Sequence, residues 1–320
     1  MGEPSLDEPH PEQHRLAGSA EDREHREQNR RSWNVATAAH NRHKGQQAQF
    51  LAAGGSTLFA EERQLLGDLC GLRLLHLLCN SGQDSLSLVH LGAEVTGVDI
   101  SDEAIETARQ LSQESALEAT FLRSDVYEFL EQSQHGEDRW DVVFLSYGAL
   151  PWLSDIHSFF AQAARLLRPG GRLVVMEFHP MLATLNDGGQ LEYSYFHRGA
   201  ERWAEGVGDY VAESGTGLAP QALRGEGESE PAPQAADPFV NPHHSFEFQW
   251  SVGEVVSAVL AAPLRLTSLE EYPFINGWKG HPELETSSPQ DDSGETRVFR
   301  WPGAPKLPLM FSLTARRSTR

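Results

Sequence analysis

An acidic residue at the end of one apolar segment and a polar turn at the end of another are the first candidates for chemistry in this chain. The turn lies within "LLHLLCNSGQDSLSL", residues 74–88, where a strand pattern gives way to a helix pattern and Gly82 is the single glycine. Asp99 ends the next apolar segment. A carboxylate at such a strand tip can accept two charge-assisted hydrogen bonds from a ribose diol, each worth roughly 1.5–3 kcal/mol. The alternative is that Asp99 only helps to start the following helix, a purpose that Ser101 and Asp102 already serve.

The turn after the first strand is poor in glycine. A dinucleotide-binding turn has the pattern GxGxxG, whose glycines let the backbone approach a pyrophosphate. Here the corresponding residues are Leu78, Cys79, Asn80, Ser81 and Gly82. The pattern therefore disfavours hydride transfer with a nicotinamide dinucleotide, and a ribose contact without a firmly held pyrophosphate indicates another adenosyl ligand.

Apolar segments that alternate with helical segments must position these residues. The predicted strands are "LRLLHLL" (72–78), "AEVTGVDI" (93–100), "ATFLRSD" (119–125), "WDVVFLS" (140–146) and "RLVVMEF" (172–178). The helix at 101 has a serine N-cap followed by two acids, which suits the helix dipole. This alternation predicts a doubly wound, mostly parallel α/β sheet, in which ligands bind beyond the carboxyl ends of the strands.

Composition and pattern divide the whole chain into four parts. Residues 1–19 are rich in proline and charge and predict a disordered tail, and residues 20–180 hold N-terminal helices, the first over about 20–49, and the α/β core. Residues 181–244 predict a mostly irregular insertion over the acceptor site, in which "QLEYSYFHR" is a possible strand. Residues 245–320 predict a helix (about 251–262), a strand (about 264–270), a loop (272–304) and a last strand (308–317).

Overall composition excludes several classes of protein. The 320 residues carry a formal net charge of -20, which argues against a nucleic-acid surface. The sequence has no apolar run of membrane-spanning length and no apolar leader, so we expect a cytoplasmic protein with no membrane partner. The chain has only two cysteines, so we do not expect a disulfide framework or a structural zinc site. His40 and His43 could share a helix face, but no carboxylate is placed with them, so no metal is predicted.

Four motifs in order resemble the class I S-adenosylmethionine-dependent methyltransferases. They are "LLHLLCNSGQDSLSLVHLGAEVTGVDISDEAIETAR", "SDVYEFL", "WDVVFLSYGALPWLSD" and "ARLLRPGGRLVVMEFHP". The chain looks most like a bacterial small-molecule subgroup with HLxCNxGQD in place of the usual glycine-rich first motif. The resemblance implies a Rossmann-like, seven-stranded sheet with a last antiparallel strand, S-adenosylmethionine as cofactor, and in-line methyl transfer to a small molecule.

The resemblance also implies roles for residues around the sheet edge. Asp99 is expected to bind the ribose, Ile100 and Asp125 to lie at the adenine, and Ser146 to lie where the methyl group meets the acceptor. The full implied cofactor set is Trp33, Thr37, His40, Leu78, Cys79, Asn80, Gly82, Asp99, Ile100, Asp125, Val126 and Ser146. Tyr147, after the fourth strand, and His179, after the fifth, are the candidate catalytic residues. Packing under the insertion is the alternative for His179, and docking onto the core is the alternative for Trp33.

Three positions depart from the family pattern. His76 occupies the place of the usual first-strand acid, which leaves open the partner of the cofactor ammonium; Asp84, Gln83 or water could serve. Leu78 and Asn80 replace two usual glycines, which implies either a backbone without positive φ or Asn80 in the left-handed region.

The sequence thus predicts a methyltransferase for a small-molecule acceptor. The acceptor atom, be it O, N, C or S, and the oligomeric state are not determined. The alternatives are an NAD-dependent oxidoreductase on a related sheet and a non-catalytic ligand-binding protein.

Overall fold

A seven-stranded sheet forms the centre of the molecule. The computed structural model describes residues 18–133, 139–214, 239–287, 298–303 and 307–318. The strands are β1 (Arg73–Leu77), β2 (Glu94–Asp99), β3 (Thr120–Arg123), β4 (Trp140–Leu145), β5 (Leu167–Phe178), β6 (Ala200–Trp203), β7 (Ser245–Phe248), β8 (Leu264–Tyr272), β9 (Phe274–Asn276), β10 (Glu285–Ser287), β11 (Val298–Arg300) and β12 (Met310–Arg317). The helices are α1 (Ala20–His43), α2 (Gln47–Ala52), α3 (Ala60–Leu66), α4 (Gln83–His90), α5 (Asp102–Ser115), α6 (Val126–Ser133), α7 (Ile156–Leu166), α8 (Tyr210–Ser214) and α9 (Val252–Ala261).

The order of the strands confirms the predicted doubly wound sheet. The order is β3-β2-β1-β4-β5-β12-β8, and β12 runs antiparallel to both of its neighbours. The winding reverses between β1 and β4, because β2 and β3 lie on one side of β1 and the later strands on the other. Ligands bind at such a reversal, so the fold places a site at the carboxyl ends of β1 and β4.

Alternating apolar residues cover both faces of the sheet. Leu75, Val143 and Val175 belong to one buried cluster with residues of α6, α7 and α9. Leu74 and Val142 belong to a second cluster on the other face. Because successive side chains of a strand point to opposite faces, near-continuous apolar runs are what a sheet buried on both sides requires.

Several element boundaries differ from the sequence predictions. The helix predicted over 20–49 ends at His43, because Gly45 takes φ +66° and the chain turns before α2 begins. The strand expected at 190–198 is not formed there: Leu191 makes an isolated bridge to Leu185, and β6 begins at Ala200 and pairs with β7. In the predicted tail, Ser19 caps α1 by accepting a hydrogen bond from the Asp22 N–H at 3.0 Å. Residues 1–17 of that tail and 215–238 of the insertion lie outside the described residues.

Candidate active site

A cavity of about 510 Å³ opens at the carboxyl edge of the sheet. Ten of the sequence-predicted residues line it: Trp33, Leu78, Cys79, Asn80, Asp99, Ile100, Asp125, Val126, Ser146 and Tyr147. These residues follow or end β1, β2, β3 and β4, except for Trp33 on α1. The winding of the sheet is therefore what brings together residues that are far apart in sequence.

The loop after β1 forms one end of the cavity with an unusual backbone. Leu78, Asn80 and Gly82 all take positive φ, at 54°, 48° and 76°. The predicted left-handed Asn80 is confirmed, and the alternative of a backbone without positive φ is wrong. A leucine in this region costs roughly 1–2 kcal/mol, so the loop stores strain beside the cavity.

Gly82 is required for close packing behind this loop, although it does not itself line the cavity. A Cβ at Gly82 would lie 2.7 Å from the Ala108 Cβ and 2.8 Å from the Phe121 ring. The single glycine of the turn therefore lets α4 begin directly against α5 and β3.

Asp99 faces the cavity from the end of β2. One carboxylate oxygen accepts the Asn80 N–H at 2.9 Å, and the other accepts the Ser101 N–H at 2.8 Å. Burial raises the pKa of Asp99, and these backbone donors oppose the shift. Because each carboxylate oxygen can accept more than one hydrogen bond, both retain capacity for a ligand hydroxyl. Asp99 thus fixes the loop after β1 and remains able to bind a diol.

Asp125 links the cavity to the N-terminal helix. It accepts the N–H of Tyr127 at 2.8 Å and of Glu128 at 3.2 Å, and so caps the start of α6. Its second oxygen forms an ion pair with Arg26 of α1, which also lines the cavity. The sequence reasoning missed Arg26, because an arginine in a helix rich in Glu and Arg gives no signal of a buried partner.

Two predicted residues of α1 lie behind the cavity wall. Thr37 and His40 are buried, and neither is among the lining residues. The His40 Nε2 is 2.9 Å from the Gly208 carbonyl oxygen, and its ring centroid is 4.3 Å from that of Tyr210. Burial lowers the pKa of His40 to about 4, so the ring is neutral near pH 7. Since Gly208 and Tyr210 do line the cavity, His40 supports the wall from outside.

His179 also lies outside the cavity lining. The Met181 N–H donates to its Nδ1 at 3.1 Å, so Nε2 carries the proton and donates to Glu271 Oε1 at 2.8 Å. Both ring nitrogens are therefore engaged in hydrogen bonds within the protein, one with Met181 at the start of the insertion and one with Glu271 on β8. A catalytic role for His179 stays a prediction, whereas the neighbouring Phe178 does line the cavity.

His76 is a neutral link between two serines. Its Nδ1 is 2.8 Å from Ser85 Oγ and its Nε2 is 3.2 Å from Ser146 Oγ. Burial lowers the pKa of His76 to about 3, so it supplies no charge near pH 7. At the place of the usual acid, the chain thus has a residue that orients Ser146.

The cavity also contains charged residues that the motifs did not reveal. Lys44, Glu62 and Asp84 all line it. Thr57 Oγ1 donates to the Asp84 carboxylate, and burial raises the pKa of Asp84 while the Lys44 ammonium lowers it. Burial in turn lowers the pKa of Lys44 to about 8, opposed by Asp84 and Asp209. Of these three, the sequence indicates only Asp84, as a substitute for the missing first-strand acid.

Segments outside the motifs complete the cavity. Gly208, Tyr210 and Val211 contribute from the insertion, and the 272–304 segment contributes Asn276, Gly277 and Trp278. The prediction of a loop over 272–304 is wrong, because β9, β10 and β11 pair there in a small antiparallel sheet. Other aromatics of the insertion, including Tyr193, Phe196 and Trp203, are exposed. Aromatic composition alone therefore does not tell which rings face a ligand.

Comparisons with known proteins agree with this geometry. Residues 74–171 match the family described as a methyltransferase domain. The chain is 34% identical over 104 residues to a ubiquinone biosynthesis O-methyltransferase of Maricaulis maris, a match that covers 32% of this chain and 39% of that protein. It is 28% identical over 160 residues to a demethylmenaquinone methyltransferase of Tropheryma whipplei, which covers 44% and 64%. The chain thus spans less than two thirds of the length of these curated relatives.

A solved structure shares the architecture. A Listeria monocytogenes protein assigned as an S-adenosylmethionine-dependent methyltransferase superposes with a TM-score of 0.50 at 14% identity, over 83% of this chain and 98% of that one. At this identity the likeness shows the fold alone. The match of residues 74–171 to a methyltransferase-domain family agrees with the resemblance seen in the sequence. The same family match supports the predicted cofactor, S-adenosylmethionine.

Proposed function

We propose that this chain is an S-adenosylmethionine-dependent methyltransferase that acts on a small-molecule acceptor. The observation that carries the proposal is Asp99, whose half-buried carboxylate ends β2, lines the cavity, and holds the strained loop after β1 by a hydrogen bond from the Asn80 N–H. A carboxylate on a rigid strand tip is suited to a ribose diol, because it needs no rearrangement to accept two hydroxyl donors.

The residues of the cavity fit the cofactor along its whole length. Asp99 would hold the ribose hydroxyls, and Ile100 and Val126 offer apolar surface for the adenine. At the other end, Lys44 would hold the carboxylate of the cofactor and Asp84 its ammonium, which is the charge complement that this pair supplies. When bound, S-adenosylmethionine supplies a methyl group that is already activated by the positive sulfur.

The protein's own contribution is to bind, orient and exclude water. Proximity and alignment of two bound reactants can account for several kcal/mol of a reaction barrier. Ser146, oriented by His76, and Tyr147, held by Asn276 Nδ2 at 3.2 Å, would face an acceptor that approaches the methyl group. The aromatic side chains of Tyr147, Phe178 and Trp278 would keep this end of the cavity dry.

The relatives bear on the reaction more than on the acceptor. The M. maris relative is an O-methyltransferase of ubiquinone biosynthesis, but the match covers only 39% of it. We therefore do not propose the methyl acceptor of that relative for this chain. The methyltransferase-domain match favours this reading over the NAD-dependent oxidoreductase.

The surroundings of the reaction are part of the proposal. In the described part of the chain, no helix is long and apolar enough to cross a membrane. We expect the protein to work in the cytoplasm on a dissolved small molecule, and the net charge of -20 disfavours a nucleic-acid substrate.

Calorimetry and a labelled methyl donor test the proposal. S-adenosylhomocysteine should bind the purified protein in a 1:1 ratio, and NADH should not. The protein should then transfer labelled methyl groups from S-adenosylmethionine to a component of a small-molecule pool. Binding of NADH but not of S-adenosylhomocysteine would favour the oxidoreductase, and binding of S-adenosylhomocysteine without any transfer would favour the non-catalytic binding protein.

A further inference from the structure

Two buried oxygen atoms at the acceptor end have no hydrogen-bond partner among the described residues. They are Glu62 Oε1 and Asn276 Oδ1, and both residues line the cavity. Glu62 is 1% exposed and Asn276 is 2% exposed. A buried acceptor that stays unsatisfied destabilises the protein, so this pair favours a ligand that brings hydrogen-bond donors.

The other polar atom of each side chain is paired within the protein, so these two oxygens are the ones left without a partner among the described residues. Glu62 Oε2 accepts the Phe59 N–H at 2.9 Å at the start of α3. Asn276 Nδ2 donates to Glu61 Oε2 at 3.0 Å and to the Tyr147 hydroxyl oxygen at 3.2 Å. Because the amide nitrogen faces a carboxylate, the amide oxygen is the atom left over.

The charges at this end favour a cation. Glu62, Glu61 and Asp84 all act on Tyr147 and, with burial as the main cause, raise its pKa well above the ordinary range. Of the cations among the described lining residues, Arg26 is paired with Asp22 and Asp125, and Lys44 faces Asp84 and Asp209. Burial raises the pKa of Glu62 itself well above its ordinary value, and an ammonium bound beside it would favour its charged form. A protonated amine would thus be attracted to this end, whereas an anionic acceptor such as a phenolate would meet repulsion from Glu61 and Asp84.

The aromatic rings at the same end suit the same group. Phe59 lies edge-on to Tyr147 with centroids 5.9 Å apart, Tyr147 stacks with Phe178 at 5.3 Å, and Phe178 contacts Trp278 at 4.9 Å. Aromatic faces attract ammonium groups, most strongly when water is excluded. Rings and carboxylates together are the elements of an ammonium-binding pocket.

We propose that the methyl acceptor carries an amine that binds at this end as an ammonium ion, with Glu62 as its carboxylate partner and Asn276 Oδ1 as a second acceptor. This inference rests on the proposed function and names the substrate class of the same cavity. For transfer to a primary amine, the ammonium gives one proton to Glu62, which frees the nitrogen lone pair. One nitrogen–carbon bond then forms, the methyl–sulfur bond breaks, and its electron pair stays on sulfur.

A pair of matched probes tests the proposal. Benzylammonium chloride and benzyl alcohol have similar shapes and differ in charge, and each is titrated calorimetrically into the full-length protein saturated with S-adenosylhomocysteine. Benzylammonium should bind at least about tenfold more tightly than the alcohol, as a charged hydrogen bond predicts. Glu62→Gln should remove this preference: its amide oxygen must accept the Phe59 N–H, so its NH₂ group would face the cavity.

The control is Glu106→Gln, which removes one negative charge from an exposed position on α5. This variant should retain the preference for benzylammonium, and all variants should bind S-adenosylhomocysteine with wild-type affinity. Equal binding of the two probes, absence of saturation by benzylammonium up to about 10 mM, or an unchanged preference in Glu62→Gln would overturn the inference. Weaker binding of S-adenosylhomocysteine by Glu62→Gln would assign Glu62 to the cofactor instead. Failure of the wild type to bind S-adenosylhomocysteine would contradict the proposed function itself.

Discussion

The two ends of the cavity are built in different ways. The cofactor end consists of backbone and strand tips: the loop after β1, Asp99 at the end of β2, and Ile100 beside it. The acceptor end consists of side chains from α3, the loop after β4 and the 272–304 segment, such as Glu62, Tyr147 and Asn276. The first end depends on the sheet and has a sequence pattern, whereas the second depends on tertiary packing and has none. Mutations should therefore affect the two ends by different mechanisms.

The largest effect is expected from a change in the backbone of the cofactor end. In Gly82→Ala the new methyl group would meet Ala108 and Phe121 at under 3 Å, at a φ that alanine disfavours. We expect a loss of about 2–4 kcal/mol in the free energy of unfolding, measured by urea denaturation. Gly54→Ala is the matched control, because φ is +90° there and no described atom lies within 4 Å of the added Cβ. It should lose only about 1 kcal/mol; equal losses would mean that the close packing behind the turn is unimportant.

A somewhat smaller effect is expected at Asp99. Asp99→Ala should weaken the affinity for S-adenosylhomocysteine by about ten- to a hundredfold, since it removes the acceptor of the ribose hydroxyls. It also removes the anchor of the loop, so Asp99→Asn, which keeps one oxygen, should lose less. Calorimetry measures both variants. An Asp99→Ala protein that binds with wild-type affinity would rule out the ribose assignment.

At the acceptor end, turnover should change without loss of cofactor affinity. Tyr147→Phe removes the hydroxyl held by Asn276 and should lower turnover by about three- to tenfold. His179→Gln lies off the cavity and should have a smaller effect on turnover. Steady-state rates with the acceptor found in the methyl-transfer screen, together with S-adenosylhomocysteine titrations, give the two readouts. If His179→Gln lowered turnover more than Tyr147→Phe did, with unchanged affinity for S-adenosylhomocysteine, the result would support a catalytic role for His179.

The smallest effect is a pH dependence due to Lys44. Its ammonium is charged below its pKa of about 8 and faces Asp84 and Asp209. As the pH rises through this value the charge is lost, so affinity for the carboxylate of S-adenosylhomocysteine should fall by about two- to fivefold. The affinity of Lys44→Met should not show this decrease with rising pH. The amino group of the ligand titrates in both proteins, so its contribution to the pH dependence cancels when wild type and Lys44→Met are compared. Parallel pH profiles of the two proteins would exclude Lys44 as the partner of the ligand carboxylate.

The same contrast explains what could be predicted from the sequence. The strands carry their own signal, because a sheet buried on both faces needs apolar runs, and Asp99 and Tyr147 follow from their places at strand ends. The N-cap at Ser101 could also be predicted from the sequence: its Oγ accepts the Ala104 N–H at 3.1 Å, as predicted.

The acceptor end could not be predicted in this way. Glu62 stands three residues after Phe59, at the spacing of a helix-capping acid, and this local role is all that its spacing indicates. Asn276 reaches the cavity only through the pairing of β9 with β11, far from any motif. His179 was expected at the site because of its place after β5, but its side chain turns to Glu271. A position at the sheet edge thus predicts the backbone and not the direction of the side chain.

A crystal structure of the complex with S-adenosylhomocysteine tests the central claim most directly. The account predicts that both ribose hydroxyls lie within hydrogen-bond distance of the Asp99 carboxylate, with the amino-acid end of the ligand in the loop after β1. A ligand bound elsewhere, or a ribose that makes no contact with Asp99, would contradict it.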